Sequence, residues 1–173
     1  MNREKSRASE HLMDWLRDAH AMEEQAETML KSMASRIESY PDLHQRVQQH
    51  IEETREQQRL VRSCIERRGG DISLLKNLAA KTMATFQGFS GAFASDEVVK
   101  GGMFSFAFEN LEIAAYRQLQ EGATYVGDAE TAEICGRILL EERAMAQWLE
   151  DNSPALVRHF LARADNPEAQ EKR

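Results

Sequence analysis

An all-α protein is expected from this sequence on three grounds. Apolar residues recur at alternating spacings of three and four, which marks one face of a helix, and no stretch alternates polar with β-branched residues as a strand would. Only 3 prolines and 9 glycines occur in 173 residues, so long runs contain no breaker. Those breakers also bunch, at Pro41, Gly69-Gly70, Gly101-Gly102, Gly122, Gly127 and Pro154, and cut the chain into pieces of helical length.

Taken in order, the first helix covers about residues 9–39 and stops at Tyr40-Pro41, because the residue before a proline resists helical angles. The second covers about 42–68 and ends at Gly69-Gly70, a C-terminal stop. A middle segment is helical around Leu74 to Met83 and loosens at Gly88 and Gly91. The third long helix covers about 96–121, with Gly101-Gly102 as a point of weakness, and ends at Gly122. The fourth begins after Gly127-Asp128 and continues to about Asp151. Ser153-Pro154 then reads as an N-cap followed by proline in the first helical turn, which predicts a separate short last helix to Ala164. Two helices, a crossover from Asp71 to Ser95 and two more helices make a four-helix bundle with one long crossover between helices 2 and 3. The expected domain plan is an N-terminal tail (1–8), one helical bundle (9–164) and a charged C-terminal tail (165–173).

Charge restricts the partners. The chain carries 29 acids against 22 Lys and Arg, a formal net charge of -7, so it lacks the basic footprint that nucleic acid or an anionic membrane demands. No run approaches the roughly 20 apolar residues of a membrane span, and the charged first residues have no leader-like apolar core. Cys64 and Cys135 form no ligand motif and read as buried free thiols in a reducing compartment, so a cytoplasmic location is expected.

Several acids interrupt the apolar stripes. In the first helix Leu12, Leu16, Ala19, Ala26, Leu30, Met33 and Ile37 define a face whose missing member is Glu23. In the second, Leu43 and Val47 open the stripe and Leu60, Val61, Cys64 and Ile65 close it, while the inward positions between are His50, Glu53, Thr54 and Gln57. In the third, Glu109 and Glu112 share a face one turn apart, beside Phe108, Ala115 and Leu119. In the fourth, Glu141 and Glu142 both fit the stripe formed by Ile134, Ile138, Met145 and Leu149, and periodicity does not choose between them. A buried carboxylate costs several kcal/mol unless protonated, paired or metal-bound. With a rise of about 1.5 Å per residue these acids fall at one level of an antiparallel bundle. A pair of divalent or trivalent cations bridged by the carboxylates relieves their repulsion, and oxygen ligands with one imidazole suit iron or manganese better than copper or structural zinc.

These residues resemble the ferritin-like superfamily, which uses one Glu from each of two helices and Glu-x-x-His from each of the others. More closely, the segments Leu16 to Gln25, His50 to Thr54, Glu109 to Tyr116 and Leu139 to Arg143 resemble the YciE/YciF family, rubrerythrin-related proteins of bacterial stress operons. The likeness covers about residues 9–151. It implies Glu23, Glu53, Glu109 and Glu142 as ligands, with Glu112 as the additional glutamate of rubrerythrins. By the same likeness Glu53 and Glu109 or Glu112 bridge, Glu23 and Glu142 are terminal, and Tyr116 is a donor behind them. Two positions depart from the pattern: Glu56 and Met145 stand where the superfamily has His. His50 is then left to supply the imidazole, with Glu56 and Glu141 as further candidates. His20, one turn before Glu23, is a candidate to orient it.

The implied function is a dinuclear centre of two Fe ions, or Fe and Mn, oxidising Fe²⁺ with O₂ or reducing or dismutating peroxide. The likeness also implies a homodimer. Phe86, Phe89, Phe93 and Met103-Phe104 serve either as that interface or as cover for the core beneath the crossover. The competing expectation is a metal-free or degenerate helical interaction protein without catalysis, its acids lying on a solvated groove or an oligomer face.

Overall fold

The computed structural model describes residues 6–71 and 97–166. They form four helices: α1 (Arg7–Ala34), α2 (Pro41–Arg67), α3 (Glu97–Tyr125) and α4 (Ala129–Ala164). Helix α1 packs on α2 and α3 on α4, while α1 with α3 and α2 with α4 close the square. The diagonal pairs, α1 with α4 and α2 with α3, make no such contact among the described residues. Helices α2 and α3, consecutive in the chain, therefore stand at opposite corners, as a bundle with one long crossover requires. None of the four helices is long and apolar enough, over the described residues, to cross a membrane.

The helix ends follow local chemistry. Ser6 caps α1, its side chain accepting from the Ser9 amide at 3.3 Å. Helix α1 stops at Ala34, five residues before the expected end. There the Ser35 hydroxyl turns back onto the Ser32 carbonyl at 2.9 Å, and the chain bends so that Ile37 and Tyr40 enter the core. Gly69 and Gly127 both adopt left-handed angles (φ 74° and 76°). The next amide in each case reaches back to a helical carbonyl, Gly70 to Ile65 and Asp128 to Ala123, both at 2.9 Å. Only a residue without a Cβ takes that turn cheaply, so these two glycines end α2 and α3. Helix α3 runs through Gly122 to Tyr125, one turn beyond the expected stop, and it also passes unbroken through Gly101-Gly102. A Cβ on Gly102 would sit 3.2 Å from Leu156, so the small residue admits the far end of α4.

That far end is the clearest departure from expectation. No separate last helix exists: α4 continues through Pro154 to Ala164. Proline has no amide to offer the Glu150 carbonyl, and the Ser153 hydroxyl donates to that carbonyl instead, at 3.1 Å. Packing supplies the rest. The His159 ring lies 4.9 Å from that of Tyr40, and the Arg163 guanidinium stands 5.9 Å over the same tyrosine. Of the aromatic group noted above, Met103 is exposed and Phe104 half-buried, whereas Phe86, Phe89 and Phe93 lie outside the described residues.

The core has two apolar parts. One gathers Leu12, Leu16, Val61, Ile65, Leu119 and Ile138 with their neighbours; the other gathers Leu30, Ile37, Val47, Ile51, Met145 and Leu149. Between them lies a polar layer.

Candidate metal centre

Each helix contributes to that layer, at the point where its apolar stripe is interrupted. Glu23 comes from α1, His50 from α2, Glu109 and Glu112 from α3, and Glu142 from α4, all at 2% exposure or less. One ligand atom from each of His50, Glu109, Glu112 and Glu142 can be chosen so that all lie within 4.8 Å of one another. Glu23 adjoins the group and interacts electrostatically with Glu142, His50 and Glu109.

His50 is the hinge of the arrangement. Its Nε2 faces Glu109 Oε2 at 3.1 Å and Glu142 Oε2 at 3.5 Å, while its Nδ1 lies 2.8 Å from Glu53 Oε2. Burial opposes a charge on this imidazole, but the hydrogen bonds to Glu109 and Glu53 and the nearby Glu142 carboxylate outweigh it and hold the pKa well above the usual value. Glu53 is only partly buried and points toward His50 Nδ1, away from the Glu109 side of the ring. It accepts from Arg46 at 3.1 Å and from Gln49 at 2.7 Å. Burial would raise its pKa, yet the His50 hydrogen bond and the Arg46 charge bring it down to about 2. An acidic partner on the outer nitrogen is the usual device for aiming an imidazole's other nitrogen at a cation.

The other acids behave in the opposite way. Burial, and then the charge of Glu142, push Glu23 and Glu112 well above the carboxylate range; burial takes Glu109 up to about 7 against the pull of His50. The Tyr116 hydroxyl, fully buried, donates to Glu23 Oε1. Four oxygens at this level have no hydrogen-bond donor: Glu23 Oε2, Glu112 Oε1 and both oxygens of Glu142. Leaving such groups unmade is costly, and the expense falls away when a cation takes their place. Four carboxylates with one imidazole are also the donor set that hard to borderline cations prefer. The residues present therefore fit a metal.

Not every candidate from the sequence lies in the layer. Glu56 sits on the outer face of α2, half exposed and paired with Arg59. Glu141 is turned outward into a surface cleft and accepts from Gln57 Nε2 at 2.8 Å, so of the adjacent acids Glu142 is the buried one. His20 Nδ1 lies 3.9 Å from Glu24 Oε1, and burial, lowering its pKa, favours the neutral ring. Met145, where the superfamily pattern has His, belongs to the apolar core. Sequence reasoning passed over Arg46 and Gln49, which fix Glu53. Their signal is helical spacing, seven and four residues before that acid.

Comparisons with known proteins agree with this architecture. The family described as a domain of unknown function (DUF892) matches residues 7–162. A crystal structure of a protein from Xanthomonas campestris pv. campestris is 42% identical and superposes with a TM-score of 0.79, over 93% of this chain and 100% of that one. YcfI from Rhodopseudomonas palustris (24% identity) and the E. coli stress protein YciF (21%) each superpose with a TM-score of 0.67, over 87% of this chain and 97% of their own. At that identity the last two speak for the all-α bundle fold alone.

Proposed function

The chain belongs to the DUF892 family, and we propose that it is a ferritin-like dinuclear metal protein, with iron or iron and manganese held by Glu23, His50, Glu109, Glu112 and Glu142. The observation that carries this reading is the set of four donorless carboxylate oxygens buried beside an imidazole nitrogen. A pair of such metals, when bound, supplies electrons to O₂ or peroxide. YciF is described as a stress protein, and oxidation of Fe²⁺ or removal of peroxide suits the same setting here.

The chain's own residues prepare the site. Glu53, held by Arg46 and Gln49, fixes the His50 ring with Nε2 inward. Tyr116 holds one oxygen of Glu23 and leaves the other free to ligate. The apolar clusters on either side exclude water, which strengthens every attraction between carboxylate and cation. A reducing cytoplasm accords with Cys64 and Cys135, both buried and free; burial, and then Cys64, push the Cys135 thiol up to about 12.

A metal-free bundle is the competing reading, and it has to store Glu23 and Glu112 as neutral acids. Elemental analysis of protein purified from iron-rich medium separates the two. About two metal ions per chain are expected. Stoichiometric metal that survives Glu109→Ala combined with Glu142→Ala overturns the assignment, and so does a chain that takes up none.

A further inference from the structure

The polar layer is closed along the bundle axis by the two apolar clusters. Its flank between α1 and α2 is stitched shut: Gln58 Nε2 donates to the Glu23 carbonyl at 3.1 Å and to Glu27 Oε2 at 3.0 Å, and Arg55 donates to Glu27 at 2.8 Å. Between α2 and α4 the contact is the sparsest of the four neighbouring pairs, and there the surface opens into a cleft of about 630 Å³. Arg46, Gln49 and Glu53 line it from α2; Glu141, Ala144 and Trp148 line it from α4.

Of these lining acids, Glu53 reaches the buried layer through a single side chain, and Glu141 holds a fully buried amide. Glu53 Oε2 contacts His50 Nδ1, and the other nitrogen of that ring faces Glu109. Glu141 Oε2 contacts Gln57 Nε2, and Gln57 is fully buried with a carbonyl oxygen that has no partner. A neutral amide oxygen left without a donor behind an acidic opening is an arrangement for a cation in transit. The charge agrees: among the described residues that line the cleft, Asp42, Glu53 and Glu141 stand against one base, Arg46.

We propose that this cleft is the route by which a divalent cation reaches the buried layer, with Glu53 and Glu141 as its outer docking pair and Gln57 Oε1 as the neutral oxygen passed on the way. Arg46, 3.1 Å from Glu53 Oε2, is the counter-ion that the arriving cation displaces. The route rests on the reading of the layer as a metal centre.

Stopped-flow mixing of the metal-free full chain with Co²⁺, followed by its visible absorption, gives the loading rate and the final amplitude separately. Glu141→Gln removes a charge at nearly constant size and is expected to slow loading about three- to tenfold; Arg46→Gln is expected to speed it by a similar factor. Opposite changes from two substitutions in one cleft are not produced by damage to the fold. Equal rates in all three proteins overturn the route while the metal centre stands. A loss of amplitude at unchanged rate in Glu141→Gln also overturns it, by making Glu141 a ligand. A wild-type chain that binds no Co²⁺ overturns the metal centre, and the route with it.

Discussion

Where α2 ends and α4 begins, Asp128 receives four hydrogen bonds: the Thr131 amide at 3.1 Å, the Thr131 hydroxyl at 2.8 Å, Arg67 at 3.1 Å and Arg68 at 2.6 Å. Fourteen residues further along the same helix, about 21 Å away, both oxygens of Glu142 have no donor. The two carboxylates belong to one helix and to one kind of chemistry, yet their surroundings were built to different ends. The first caps a helix and ties two elements together, so the fold itself provides all its partners. The second has been given other acids, an imidazole and apolar walls. A group that the fold surrounds and leaves unmet is there for something the fold does not contain.

Breaking the comparison is then a matter of showing that both carboxylates respond alike. The largest expected effect is on loading: a divalent ion at about 100 times its Kd adds about 2.7 kcal/mol and raises Tm by roughly 5–10 °C in a domain of this size. Glu112→Leu should abolish that rise, as read by thermal unfolding with and without Co²⁺. In the metal-free protein the same Glu112→Leu substitution should stabilise, by about 1–3 kcal/mol, because an apolar side chain replaces an unmet buried acid. Urea unfolding that finds it destabilising would mean that the carboxyl is already well served by the fold.

Asp128→Ala should move the other way, costing about 1–2 kcal/mol by loss of the cap and the two arginine pairs. The smallest effect is in the pH dependence of that pair. Burial would raise the Asp128 pKa, but hydrogen bonds from Thr131 and Arg68 and the charge of Arg67 hold it at about 2, below its unfolded value. A depressed carboxyl contributes stability above the unfolded pKa and loses it as pH falls, here between about 4 and 2. Asn also caps helices well, so Asp128→Asn isolates the charge. The stability gap between wild type and this variant should be below about 1 kcal/mol at pH 6, should shrink below about pH 4 and should close only near pH 2. A gap that widens on acidification contradicts the assignment.

The sequence shows this division better for helices than for single acids. Glu23 was legible because a stripe of Leu12, Leu16, Ala19, Ala26 and Leu30 leaves one place for it, and burial there is complete. Glu109 and Glu112 were legible because three residues keep one face. On α2 and α4 the arc is ambiguous. His50 and Glu53 are also three apart, and only packing reveals that His50 faces the centre while Glu53 stands behind it. Adjacent Glu141 and Glu142 differ by about 100° around the helix, which decides between cleft and core but cannot be read from a stripe as wide as this one. Pro154 shows the opposite limit. The local rule for a break is sound, but Ser153 replaces the missing donor and Tyr40 anchors the continuation, and both depend on three-dimensional packing.

Anomalous diffraction at the iron edge, from crystals of protein loaded with Fe²⁺, tests the central claim most directly. Density is expected inside the layer, bounded by Glu109, Glu112, Glu142 and His50 Nε2, with Glu23 beside it. Density confined to surface acids such as Glu56, or none within the bundle, would contradict it.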